Sequence, residues 1–189
     1  MKRFGWLIAI GLVLVIILAI GLGIAGSYNG LVKKSQAVDS QLAQVETQYQ
    51  RRFDLIPNMV ATVKGYLKQE LAIFGEITEA RAAYGSAQTV EEKSAASIQF
   101  ENALSRLLVI VEDNPEIKSD KVMIGLMDEL AGTENRISVE RKRYNDAVRD
   151  YNTAVKSFPT NIIAGIFNFD EREYFASVSG ADKPPVVEF

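Results

Sequence analysis

The pattern of apolar and polar positions sets the start of the chain apart from the rest. No charged residue occurs between residues 4 and 32, and residues 7–25 consist entirely of Leu, Ile, Val, Ala and Gly. An apolar run of this length matches the ~30 Å hydrocarbon core of a bilayer, whereas a cleaved signal peptide usually has an apolar region of about 7–15 residues. The pattern predicts an uncleaved transmembrane anchor over residues 1–27 that contacts the lipid bilayer through residues 4–27. Cleavage near Gly23-Ile24-Ala25 is the alternative.

Beyond the anchor, apolar residues recur at alternating spacings of three and four, which is typical of coiled-coil-like helices that pack through one face. The first such stripe predicts a helix that continues from the anchor and ends at Pro57, a residue suited to the first turn of the following helix. The stripe consists of Leu31, Ser35, Val38, Leu42, Val45, Tyr49, Arg52 and Ile56.

Further stripes and capping signals predict three more helices. The second runs over residues 57–85. The third starts after Thr89-Val90-Glu91-Glu92, which has the form of a capping box, and continues to about residue 113. Asn114-Pro115 ends it, and a long fourth helix is predicted from about residue 116 to residue 158.

The lengths of the helices and of their connections predict the fold. Short connections between long helices force antiparallel neighbours. The expected fold is all-α: an antiparallel up-and-down four-helix bundle with an N-terminal transmembrane helix continuous with helix 1. The bundle should occupy residues 28–176, and residues 177–189, with Gly180, Pro184 and Pro185, are predicted to form an irregular tail.

An apolar segment follows the fourth helix, which in this topology returns toward the membrane. We favour the interpretation that this segment closes the open end of the core. The alternative is a short element that lies on the bilayer surface. The candidate membrane-interface residues are Ile162, Ile163, Ile166, Phe167 and Phe169.

Composition narrows the functions that the chain can perform. It has 21 Lys and Arg against 24 Asp and Glu, and no dense basic stripe, which argues against nucleic-acid binding. It contains neither cysteine nor histidine, so thiolate nucleophiles, imidazole bases and the usual ligands of zinc, copper or haem are missing. No phosphate-binding glycine loop or serine-nucleophile motif occurs. We therefore predict no enzyme activity, no catalytic residues, no cofactor and no metal.

Polar residues on the first, second and fourth predicted helices can meet inside the bundle. We interpret them as a structural network of hydrogen bonds and ion pairs that sets helix register. A recognition patch or an ion site is the alternative, although metal sites in bundles typically include histidine. The candidates are Arg52, Asn58, Glu70, Glu134, Asn135, Arg141, Tyr144 and Asn145.

Several short motifs occur in a specific order and spacing. They are Tyr28-Asn29-Gly30-Leu31-Val32, Arg52-Phe53-Asp54-Leu55-Ile56-Pro57-Asn58-Met59-Val60, Val63-Lys64-Gly65-Tyr66, Ala80-Arg81-Ala82, Asn114-Pro115-Glu116-Ile117-Lys118, Thr133-Glu134-Asn135-Arg136-Ile137, Arg143-Tyr144-Asn145, Tyr151-Asn152 and Phe158-Pro159. Together they resemble the LemA family of bacterial membrane-anchored proteins over nearly the whole chain beyond the anchor. The resemblance implies a cytoplasmic-membrane protein with an N-terminal anchor and a helical bundle, and no agreed biochemical activity.

These features lead to an expected function. The chain should be a single-pass, non-catalytic scaffold or interaction protein of the bacterial cytoplasmic (inner) membrane, which forms homo-oligomers and contacts other membrane or envelope proteins. The alternative is a membrane-shaping or lipid-binding protein that uses residues 162–169. Lys2 and Arg3 lie closer to the anchor than Lys33 and Lys34, which favours a bundle outside the cytoplasm.

Overall fold

The protein is all-α. A computed structural model describes residues 2–67 and 72–176, with side chains from residue 10 onward. The regular structure of these ranges consists of six helices, without a strand. The helices are α1 (Lys2–Tyr66), α2 (Ala72–Ser86), α3 (Val90–Asp113), α4 (Pro115–Lys118), α5 (Lys121–Lys156) and α6 (Thr160–Phe167). The all-α prediction is confirmed, and the predicted tail at 177–189 lies outside the described residues.

Helix α1 runs through Pro57, so the prediction that Pro57 ends it and starts the next helix is wrong. A proline inside a helix removes the hydrogen bond to the carbonyl four residues earlier. The apolar side chains on either side of this proline are almost fully buried: Phe53, Ile56 and Met59 are each at most 4% exposed. Burial of each such side chain contributes about 1.5–3 kcal/mol. Packing on both sides of Pro57 therefore outweighs the lost hydrogen bond.

The predicted capping box at the start of α3 is confirmed. The backbone N–H of Glu92 donates to the Thr89 hydroxyl at 3.1 Å, and the Glu92 carboxylate accepts from the backbone N–H of Thr89 at 3.2 Å. The same carboxylate accepts from the N–H of Gln88 at 2.7 Å. The two backbone hydrogen bonds lower the pKa of Glu92. The helix start is thus fixed by local side chains, as a capping box requires.

The break after α3 is also confirmed, but the next helix is not continuous from residue 116. Pro115 opens the single turn α4, and Asp120 then starts α5 by accepting hydrogen bonds from the backbone N–H groups of Val122 and Met123 at 2.8 and 3.0 Å. Those bonds, together with one from the Tyr66 hydroxyl, lower the pKa of Asp120. A new N-terminal cap interrupts what the sequence predicts as one helix.

The chain forms two compact units. Among the described residues, unit 1 comprises residues 2–40 and 146–172, and unit 2 comprises residues 41–67, 72–145 and 173–176. The core of unit 2 contains a set of aromatic rings. The rings of Phe53 and Phe100 lie 4.8 Å apart between centroids, and those of Tyr49 and Tyr84 lie 4.9 Å apart. Phe175 completes the set through its stacked contact with Tyr49.

Unit 1 is built around the part of α1 that follows its apolar run. Leu31 packs against Ile163 and Ala164 of α6. Helix α6 ends at Asn168, whose φ of 57° is left-handed, a conformation that asparagine tolerates at a helix end. The backbone N–H of Phe169 then bonds the Ala164 carbonyl at 2.9 Å. The turn directs the chain back along α5.

Candidate functional site

A cluster of two arginines and two glutamates lies within unit 2. Arg52 of α1 is 0% exposed, and its Nη2 donates to the Glu134 carboxylate of α5. Its Nη1 lies 3.8 Å from Oε1 of Glu101 on α3. The same oxygen lies 3.6 Å from Nη1 of Arg141 on α5. The charges of the four side chains balance, which a buried cation requires.

Glu101 is the central acceptor of this cluster. Burial raises the pKa of its carboxyl above the usual range, while the guanidinium of Arg141 acts in the opposite direction. The Tyr49 hydroxyl donates to Glu101 at 3.1 Å. Burial, together with the charge of Glu101, raises the pKa of Tyr49 to about 12. Tyr49 therefore serves as a protonated donor at neutral pH rather than as a base.

Tyr144 and Asn145 hold the segment that follows Arg172. The Tyr144 hydroxyl donates to the carbonyl of Glu173 at 2.9 Å. The Asn145 amide donates to the Phe175 carbonyl at 3.0 Å and accepts from its N–H at 2.8 Å. A side-chain amide that bonds both backbone groups of one residue imitates a strand partner. This pairing fixes Phe175, which is 2% exposed, in the aromatic core.

The same pair of hydrogen bonds from a side-chain amide to the backbone recurs at Asn152, seven residues further along α5 and within unit 1. The Asn152 amide donates to the Arg172 carbonyl at 2.9 Å, and its oxygen accepts from the Arg172 N–H at 2.8 Å. The Arg172 guanidinium in turn lies 3.3 Å from the Asp39 carboxylate. Asn145 and Asn152, which belong to two of the Tyr-Asn pairs of the sequence, thus anchor the backbone that returns along the helix.

The structure brings together some of the predicted network residues and separates others. Arg52, Glu134 and Arg141 belong to one cluster, as described above. Asn58 and Asn135 are exposed. Glu70 lies outside the described residues. Of the candidates, Arg52, Glu134 and Arg141 take part in ion pairs, and Tyr144 and Asn145 bond backbone groups.

Sequence reasoning missed Glu101 and Phe175. Glu101 follows Phe100 and lies three residues before Leu104, on the packed side of α3, so a polar residue within an apolar stripe was the available signal. No local signal identifies Phe175, because it lies in a segment without regular structure. No group of three or more acidic side chains placed to hold a metal ion occurs among the described residues.

The candidate membrane-interface residues of α6 divide into two sets. Ile163 is buried against Leu31, as the interpretation of a core-closing segment expects. Ile162 and Ile166 are 53% and 64% exposed, and Phe167 is about half exposed. The Tyr28 ring lies 4.9 Å from that of Phe167 and 5.6 Å from that of Phe169. The exposed apolar side of α6 thus lies beside the end of the apolar run of α1.

Helix α1 carries the longest exposed apolar surface among the described residues. From Ile10 onward it is long and apolar enough to cross a membrane, and no other described helix meets that criterion. The aliphatic side chains of residues 10–24 are exposed along it. A contiguous surface of this kind is rare on proteins that face water on all sides.

Three features of the described residues define the class of protein: their regular structure is entirely helical, the N-terminal helix is apolar, and two arginines and two glutamates form a charge-balanced cluster. The chain is a helical protein with one candidate membrane span among these residues. The profile of the LemA family matches residues 41–189. The chain belongs to the LemA family, as its motifs predict.

Three curated relatives show how far the similarity extends. Magnetosome proteins MamQ 1 and MamQ 2 of Paramagnetospirillum magneticum are each 27% identical over 186 aligned positions, and the match covers 85% of this chain and 68% of the relative. Magnetosome protein MamQ of Magnetospirillum gryphiswaldense is 26% identical over the same extent. The similarity therefore spans most of both chains.

Proposed function

We propose that this protein is a single-pass, non-catalytic interaction protein of the bacterial cytoplasmic membrane, with an antiparallel helical bundle beyond its anchor. One observation carries the proposal: the helix with the exposed apolar run also supplies Tyr49, Arg52 and Ile56 to the core of unit 2. One continuous helix therefore carries both the candidate membrane span and part of that core. The balanced charges of the Arg52, Glu101, Glu134 and Arg141 side chains support a structural rather than a catalytic role.

The side of the membrane on which unit 2 lies is tested by protease protection. Intact spheroplasts that produce the chain with a tag at its C-terminus are treated with an external protease. The positive charges nearest the anchor favour an N-terminus in the cytoplasm, so we expect the tag to be digested. Protection in intact spheroplasts that is lost on lysis would place unit 2 in the cytoplasm.

Self-association through α1 is the second part of the proposal. Glycines in the apolar run have open space where a Cβ would lie, and small residues allow transmembrane helices to approach closely. Because the chain has no native cysteine, the exposed Ser40 can be replaced in Ser40→Cys and labelled alone. Donor- and acceptor-labelled batches, mixed in liposomes at high dilution, should show energy transfer that excess unlabelled protein abolishes. Absence of transfer contradicts a homo-oligomer.

A lipid-binding role for α6 is a second candidate function. It is supported by the contact of Tyr28 with Phe167, because Tyr28 lies where the apolar run of α1 ends and aromatic residues favour the membrane interface. With α1 across the bilayer, the exposed Ile162 and Ile166 would lie at the level of the lipid headgroups. Short apolar helices bind membranes in this orientation.

Depth-dependent quenching tests this candidate. The full chain carrying Ile166→Cys, labelled with an environment-sensitive dye, is reconstituted into vesicles that contain spin-labelled lipids. We expect a blue-shifted emission that the lipids quench. The matched control is Asp150→Cys, an exposed site on α5 that lies in the same unit, and its dye should remain unquenched. Equal quenching at the two sites would exclude an interfacial α6.

A further inference from the structure

A cavity of about 260 Å³ opens beside Arg52 within unit 2. Its walls are mostly aliphatic and come from α3 and α5, and its polar end is formed by Arg52, Glu101 and Glu134. The aliphatic lining consists of Leu104, Leu108, Met127, Leu130 and Ala131. The cavity has room for roughly nine groups the size of a water molecule or a methylene.

The guanidinium of Arg52 is incompletely satisfied at this cavity. Its Nε and Nη1 are buried without a hydrogen-bond partner among the described residues, while Nη2 alone bonds Glu134. A guanidinium has five N–H donors and is best matched by a carboxylate that accepts from two of its nitrogens at once. Buried donors without an acceptor are unfavourable. The guanidinium that lines the polar end of the cavity therefore has two buried donor nitrogens without an acceptor.

Glu134 is a replaceable counter-ion. Its side chain is 61% exposed, so the carboxylate is already largely hydrated and can turn further into solvent. Glu101 has a separate cationic neighbour in Arg141. If Glu134 turned away, the charge left to be neutralised would be that of Arg52.

We propose that this cavity binds a small amphiphilic carboxylate, of the class of medium-chain fatty acids with about eight carbons. The ligand carboxylate replaces that of Glu134 on Arg52 and accepts from Nη2 together with Nη1 or Nε. The aliphatic chain lies against Leu104 and Leu130. This assignment commits the site to an anionic head and an apolar tail, because only that combination satisfies both of its ends.

The proposal is tested with octanoate. The full chain in lipid nanodiscs is titrated calorimetrically, and the heats from empty nanodiscs are subtracted to remove partitioning into lipid. We expect saturable binding of octanoate and at least tenfold weaker binding of octanol, which has the same chain without the charge. Equal binding of the two compounds, or no saturable heat, would overturn the proposal.

Two variants identify the site. Glu134→Gln weakens the competing acceptor without truncating it, so octanoate should bind at least about fivefold more tightly. The matched control Glu129→Gln alters an exposed glutamate on the same helix that does not line the cavity, and it should leave the affinity unchanged. Ala131→Phe fills the cavity from its exposed rim and should abolish binding. An unchanged affinity in Glu134→Gln, or retained binding in Ala131→Phe, would rule out this site.

Discussion

Arg52 and its ion-pair partners connect three helices within unit 2. Arg52 meets Glu134 of α5 and lies near Glu101 of α3, and Glu101 also faces Arg141. Buried ion pairs of this kind contribute little net stability compared with apolar residues, but removal of one partner is costly. The cluster therefore serves mainly to specify which faces of α1, α3 and α5 pack together.

Substitution of Arg52 should be strongly destabilising. Arg52→Ala deprives Glu101 of a cationic neighbour and leaves a void in the core, so we expect a loss of about 3 kcal/mol in the free energy of unfolding. Arg106 forms an exposed pair with Glu76, so Arg106→Ala should cost less than about 1 kcal/mol. Urea unfolding of the full chain in micelles, followed by the near-ultraviolet dichroism of its tyrosines, measures both. Equal losses would contradict a buried cluster.

Tyr49 makes the stability of unit 2 depend on alkaline pH. The folded pKa of about 12 exceeds the ordinary value of 10, so on raising the pH the unfolded chain loses this proton first. The contribution of protonated Tyr49 to the free energy of unfolding is complete below pH 10 and is lost as the pH rises toward 12. Two pKa units correspond to about 3 kcal/mol.

The urea midpoint should accordingly fall between pH 10 and pH 12. Tyr49→Phe removes the titrating group and should flatten this fall, although the buried Tyr84, whose pKa burial also raises, retains part of it. Tyr174→Phe, at a half-exposed site, should leave the pH profile unchanged. A wild-type midpoint that is constant over this range would contradict the burial of Tyr49.

The sequence predicts this cluster only in part. Arg52 and Arg141 are identifiable because their spacing places them on packed helix faces. The prediction that Asn58 and Asn135 face the interior is wrong. Each lies two positions from a buried residue, Ile56 for Asn58 and Thr133 or Ile137 for Asn135, and so points away from the core. The sequence does not identify Glu101, because its cationic partners lie on other helices and only the tertiary fold brings them together.

At the scale of elements, local signals predict helix ends well when side chains cap them. Thr89 and Asn114 mark the predicted boundaries, because their bonds involve neighbours in sequence. Pro57 misled the prediction because its effect is opposed by the burial of Phe53, Ile56 and Met59, which depends on contacts distant in sequence. A local penalty was outweighed by tertiary packing.

A proline substitution tests the continuity of α1. Pro57 is exposed within the helix, so Pro57→Ala should restore a backbone hydrogen bond and stabilise the protein by about 1–3 kcal/mol. Pro115 opens α4, where a missing N–H costs nothing, so Pro115→Ala should change stability by less than about 1 kcal/mol. Urea midpoints of the two variants are compared. If Pro57→Ala is neutral or destabilising, residue 57 begins a new helix.

At the scale of the whole molecule, composition predicts the apolar N-terminal helix and periodicity predicts an all-α chain. Neither predicts the return of residues 170–176 along α5, because that segment has no regular structure and is held by Asn145 and Asn152 through their side chains. Nor do local patterns predict the two compact units, which α1 and α5 both enter. These features arise from contacts between distant parts of the chain.

The most direct test of membrane anchorage is alkaline carbonate extraction of membranes from cells that produce the full chain. An apolar helix across the bilayer resists this treatment, so we expect the protein to remain in the membrane pellet at its full-length mass. The double variant Leu14→Asp and Leu18→Asp places two charges in the apolar run, which is unfavourable in lipid, and should move to the supernatant. Release of the unaltered protein, or a pellet form shortened at its N-terminus, would contradict an uncleaved transmembrane anchor.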